Sequence, residues 1–206
     1  MAHIVTGSNI LLAAMHKGRL EAFSDGVIAI LITIMVLELK IPQGTGWQAV
    51  QPIIPTMLSY VMSFVYLGIY WNNHHHMLQT CTGVNGKILW ANLHLLFWLS
   101  LIPFVTSWTG QNHFAPLPTA MYGAVLIMSA FAYTMLQASI IRLQGRGSKL
   151  AAAVGNDAKA KLSQLFYAIG IVLALLQHSW IAASLYALVA FMWLVPDPRI
   201  ERRLNR

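Results

Sequence analysis

Acidic residues are scarce in this chain: six Asp and Glu among 206 residues, and only 9% charged residues of any kind. A soluble domain carries about 25% charged residues, so an ordinary water-soluble globule is excluded. Cysteine is down to a single residue, Cys81, which leaves no intrachain disulfide framework; Cys81 is read as a small packing residue without a chemical role. The opening stretch, MAHIVTGSNILLAAMHKGR, holds a short apolar run with no basic residue before it. A cleaved signal peptide begins with a positive segment, so residues 1–18 are expected to form a short, loose or interfacial tail. No internal repeat, low-complexity tract or soluble domain is visible.

What is abundant is apolar. Hydrophobic residues make up 57% of the chain and the mean hydropathy is +0.61. A bilayer core of about 30 Å needs roughly 20 residues of helix. Six stretches fit, at about 20–40, 49–73, 88–108, 118–141, 161–177 and 179–195. Pro52 and Pro55 kink the second or delay its start, and Pro103 falls near the end of the third. The last two are short and joined by little more than Gln177-His178-Ser179, so they form a tight hairpin, and Pro196 and Pro198 stop the sixth. The fold class is an all-α integral membrane protein with six transmembrane helices, one domain spanning residues 1–206.

The basic residues sort by membrane side. Lys17, Arg19, Lys87, the cluster from Arg142 to Lys161, and the basic tail at 196–206 fall on one side, twelve of thirteen, leaving Lys40 on the other. The positive-inside rule then puts both termini in the cytoplasm, and an even number of spans agrees. The same sorting argues against nucleic-acid binding, which would need a basic patch with interleaved aromatics. Trp47, Trp71, Trp90, Trp108 and Trp180 fall near helix ends, as in an interfacial aromatic belt.

The first helix opens with ionisable groups, which are costly in a bilayer unless paired or functional. On a helical wheel over residues 19–41, Phe23, Val27, Ile30, Ile34, Leu37 and Ile41 share one side, with Gly26 and Thr33 at its edge; Glu21, Ser24 and Asp25 lie opposite. The polar side must meet protein or water rather than lipid. Trp71, His74, His75 and Leu78 share a face of the second helix, and Asn92 and His94 interrupt the apolar third. A network of Ser24, Asp25, Asn92 and one or more histidines, at the cytoplasmic end, would fix the first helix in place. Arg19, on the apolar side, either snorkels or reaches a neighbouring subunit. The apolar stripe faces lipid, ordinary packing, or a symmetry axis where it would form rings able to gate ions by dewetting.

Arg19-x-x-x-Phe23-Ser24-Asp25-Gly26 followed by an apolar run resembles the signature of the bacterial and archaeal relatives of the endolysosomal potassium channel called transmembrane protein 175. Tyr70-Trp71-x-x-His74-His75 resembles that family's second helix, and the run from Asn92 to Phe104 its third. The likeness covers residues 19–104 in motif and the remainder in hydropathy alone. It implies a homotetramer of six-helix subunits in a prokaryotic plasma membrane, with the first helix lining a central pore. Ile30 would form the narrowest ring, Thr33, Ile34 and Leu37 the layers beyond it, and Arg19, Phe23, Ser24 and Asp25 with Trp71, His74, His75, Asn92 and His94 the structural motif network. It also implies passive, potassium-preferring cation conduction without a T-V-G-Y-G filter, which this sequence lacks. No cofactor is implied beyond permeant potassium ions. Glu38 is either an outer-mouth carboxylate that draws cations inward or an interfacial acid beside Lys40.

Two rivals have weaker support. A metal-dependent membrane enzyme would draw on His74–His76 with Asp25, Glu21 and His94, but adjacent helical histidines diverge by about 100°, and no H-E-x-x-H occurs; no metal site is expected. A proton-coupled secondary transporter would show inverted repeats and midplane charges, and neither is visible. Proton permeation through the same pore is a variant of the channel reading, suggested by the histidines near its inner mouth.

Overall fold

The computed structural model describes residues 2–155 and 157–194, with side chains from residue 17 onward except Ala153. Among these residues the chain forms α1 (Ala2–Leu37), α2 (Trp47–Val50), a 3₁₀ turn (Gln51–Ile53), α3 (Ile54–Gln79), α4 (Gly86–Ser100), α5 (Ile102–Gln111), α6 (Pro116–Gln144), α7 (Lys149–Val154), α8 (Ala158–Leu175) and α9 (Ser179–Leu194). Five segments are long and apolar enough to cross a membrane: Lys17–Leu37, Trp47–Gln79, Gly86–Gln111, Pro116–Gln144 and Ala158–Leu175. The sixth, α9, has 16 residues, about 24 Å of helix. The chain is an all-helical, multi-pass membrane protein. The basic tail 196–206, with Pro196 and Pro198, lies outside the described residues.

Proline sets several boundaries. Pro52 and Pro55 stand in the first positions of the 3₁₀ turn and of α3, where the missing N–H costs nothing. The second span therefore starts with a short helical lead-in rather than a sharp kink. Pro103 acts inside a span: it cannot donate to the carbonyl of Leu99, and the third span breaks at Leu101 into α4 and α5. The N-terminal end departs from expectation. Residues 2–18 contain no proline and include the helix-favouring run Leu11-Leu12-Ala13-Ala14-Met15, and they continue α1 instead of forming a loose tail.

The bundle is arranged around α6, which packs against α4, α5, α8 and α9, while α3 packs on α5 and α9. Helix α1 lies to one side and leans on α3, α4 and α5. Ile28, Leu31 and Met35 form its buried stripe. The α5–α3 approach is close: a Cβ built on Gly110 would stand 2.6 Å from the Thr56 Cα, so only glycine fits. Many hydroxyls in the spans bond within their own helix. Ser129, Thr134 and Ser163 donate to the carbonyls of Val125, Ala130 and Lys159 at 2.8, 2.9 and 2.8 Å, which satisfies them in a medium without water.

Candidate functional site: the two faces of helix α1

The inner face of α1 is polar where α3 and α4 meet it. Ser24 is fully buried; its hydroxyl donates to the Leu20 carbonyl at 2.8 Å and accepts from the Asn92 side-chain amide at 2.9 Å. Asn92 Oδ1 in turn accepts from His74 Nε2 at 2.7 Å. Asn92 and His74 are also fully buried, so one residue from each of α1, α3 and α4 forms a continuous chain. A buried network of this kind fixes one relative placement of its helices.

Asp25 does not join that chain. Its Oδ1 accepts the indole N–H of Trp71 at 3.0 Å. One turn toward the N-terminus of α1, Glu21 Oε1 lies 3.1 Å from His75 Nδ1, though out of line for a hydrogen bond. Another turn along, Lys17 donates to the Gln79 carbonyl at 3.0 Å. Asp25–Trp71, Glu21–His75 and Lys17–Gln79 thus step by four residues in opposite directions, the register of two antiparallel helices in face-to-face contact. The Trp71 and His75 rings stack, with centroids 6.0 Å apart and planes 19° apart.

Three residues of the expected network lie elsewhere. His94 accepts from Trp98 at 3.0 Å within α4, because an i, i+4 partner on its own helix is nearer than α1. Phe23 and Arg19 are exposed, on the side of α1 away from the Ser24–Asn92–His74 chain. Gln79 and the pairings of Glu21 with His75 and of Trp71 with Asp25 were not singled out from sequence; the shared i, i+4 spacing of Glu21/Asp25 and Trp71/His75 is the signal that could have found them.

The outer face of α1 is apolar and uncovered. Ile30 is 56% exposed, Ile34 42% and Leu37 80%. Thr33 is exposed among them, its hydroxyl donating to the Ile30 carbonyl at 2.9 Å. Just past α1, Glu38 Oε2 accepts from Ser107 Oγ at 3.0 Å, and that oxygen accepts from Gln111 Nε2 at 2.6 Å. Helix α5, rather than Lys40, thus positions the Glu38 carboxylate.

The described residues thus form a helical membrane bundle in which α1 is anchored on its polar side and leaves its apolar side exposed. By sequence, residues 19–103 match the family described as "Endosomal/lysosomal potassium channel TMEM175". A potassium channel of Chryseobacterium sp. (strain P1-3) is 58% identical over 191 residues, 93% of this chain and 99% of that protein. A potassium channel of Streptomyces collinus is 33% identical over 129 residues, 59% of this chain and 63% of that protein. In fold, the chain is similar to the crystal structure of a lysosomal potassium-selective channel TMEM175 homolog from Chamaesiphon minutus, with TM-score 0.75, 22% identity, and 88% of this chain and 97% of that one covered. The chain belongs to the TMEM175 family, which is a family of channels and not of enzymes.

Proposed function

We propose that this chain is the subunit of a passive, potassium-preferring cation channel, a homotetramer in a prokaryotic plasma membrane with both termini cytoplasmic. The observation that carries the pore assignment is the division of α1: its Ser24–Asp25 side is tied to α3 and α4, while Ile30, Thr33, Ile34 and Leu37 are left exposed. Four copies around an axis would turn that stripe into stacked rings. Ile30 would then form a constriction that resists wetting, which gates ions without a carbonyl filter. Thr33 contributes oxygen at the next layer: with its proton committed to the Ile30 carbonyl, its remaining lone pairs are free to meet a partly dehydrated cation. Glu38, held by Ser107, would form a negative ring that concentrates cations at the outer mouth. The potassium-channel names of the Chryseobacterium and Streptomyces relatives support the ion.

The test is ion flux into liposomes containing only this protein, comparing potassium, sodium and a bulky organic cation. Potassium flux that exceeds sodium flux, is not stoichiometrically coupled to a second ion and excludes the bulky cation is the expected outcome. Saturable flux coupled to a second ion would replace the channel with a transporter.

A further inference from the structure

We propose that Glu21, Asp25 and His75 form a binding site for a divalent transition-metal ion of the zinc type, bridging α1 and α3. One donor atom from each of the three residues lies within 4.8 Å of the other two. Glu21 and Asp25 stand one turn apart on α1, and His75 faces them from α3. The Glu21 Oε1–His75 Nδ1 separation of 3.1 Å is close to the edge of a tetrahedron with bonds of about 2.0–2.1 Å, roughly 3.4 Å. The Asp25 donor atom lies within 4.8 Å of the other two, and an inward movement of its carboxylate completes the set.

His75 Nδ1 is buried and makes no hydrogen bond, although a carboxylate oxygen lies beside it. Its other ring nitrogen, Nε2, sits 2.8 Å from the Gln79 side-chain amide. The Gln79 amide nitrogen donates to Nε2, so the proton of the neutral ring stands on Nδ1 toward Glu21; a metal ion would take that proton's place, with the ring proton moving to Nε2 and the Gln79 amide turning its carbonyl oxygen there. Metal-bound histidine is commonly oriented by such a carbonyl on its far nitrogen. Trp71 completes the support: it donates to Asp25 Oδ1 and stacks on the His75 ring. The side chains of His75 and Glu21 are 33% and 23% exposed, so an ion can enter from water and keep a water as its fourth ligand. One imidazole with two carboxylates favours a borderline cation over the all-oxygen preference of magnesium or calcium. Such an ion would clamp α1 to α3 and place the position of α1 under control of cytoplasmic metal.

The experiment is zinc binding to purified protein without a polyhistidine tag, by competition with a chromophoric chelator, alongside thermal unfolding with and without zinc. Wild type should bind one zinc ion per chain more tightly than its other histidines allow, and unfold at higher temperature with zinc. Glu21→Gln and His75→Gln should each weaken that binding by more than about tenfold, since even supporting residues around a metal contribute 10–100-fold, and should abolish the thermal shift. His76→Ala should keep both. Glu21→Gln preserves shape at a partly exposed position, and the elution volume of each variant verifies its fold. Absence of saturable zinc binding in wild type, equal affinity in the two ligand variants, or equal loss in His76→Ala would overturn the site. None of these readouts depends on ion conduction, so failure of the channel reading and failure of the metal site are separable.

Discussion

The indole N–H of Trp71 on α3 is bonded to Asp25 Oδ1 on α1 at 3.0 Å, which ties the acid of the first span to a neighbouring helix of the same chain. The same acid faces away from the Ile30–Ile34–Leu37 stripe. Trp71→Phe removes the donor together with part of the ring that stacks on His75, and the lost hydrogen bond costs about 1 kcal/mol at this exposed position. The expected outcome is a modestly lower unfolding temperature with unchanged ion preference. Asp25→Ala also removes the acceptor and is expected to cost the folded assembly, read as loss of the oligomer peak in size-exclusion chromatography. A stable oligomer with altered potassium-to-sodium preference would instead place Asp25 in the permeation route.

Asn92 is the middle of the buried chain from Ser24 to His74. Asn92→Leu strands the buried His74 imidazole, whose Nε2–H loses its acceptor, while the Ser24 hydroxyl keeps its bond to the Leu20 carbonyl. An orphaned buried group costs about 1–3 kcal/mol, so the variant is expected to be the least stable of single substitutions at this junction. His94→Leu, whose partner is local to α4, is expected to be far milder. Thermal unfolding of the two variants in one detergent checks the ranking.

Ile30→Asn exchanges an apolar side chain for one that holds water at the proposed constriction. Liposome flux is expected to rise and the preference for potassium over sodium to fall, with the unfolding temperature little changed because Ile30 is more than half exposed. Unchanged flux and preference would remove Ile30 from the pore.

Asp157 caps α8 by accepting the Ala160 N–H at 3.2 Å. Burial raises its carboxyl above the ordinary 3.8, opposed by that N–H and by Lys161. A raised acid favours the folded state while protonated, so its contribution is full below 3.8 and is lost as pH rises through the folded-state value. Asp157→Asn keeps an acceptor without the charge. The unfolding temperature of wild type relative to this variant should therefore fall across that window. Asp157→Ala loses the cap and should be less stable by about 1 kcal/mol, measured by thermal unfolding over a pH series.

Hydropathy made the spans legible because a bilayer imposes a length that few soluble segments satisfy. The two faces of α1 were equally legible: a 100° step separates Ser24 from Ile30 whatever surrounds them. Partner choice was not. His74, His75 and His94 were all candidate partners for Asp25, and only the antiparallel register of α1 and α3 assigns Trp71 to Asp25 and leaves Asn92 for His74. His94 illustrates the reason: periodicity locates a polar residue on its own helix, but whether it reaches across depends on interhelical distance. The N-terminal extension of α1 was missed because an apolar run of that length satisfies a tail and a helix equally.

For the nascent chain, the hydroxyls that bond to carbonyls of their own helix make each segment self-sufficient on leaving the translocon. Asn92 and His74 are different, since they stay unsatisfied until α1, α3 and α4 have met. Those helices belong to the first three spans in order of synthesis. Their junction can therefore close before the C-terminal hairpin exists, giving the later helices a finished platform on which to dock.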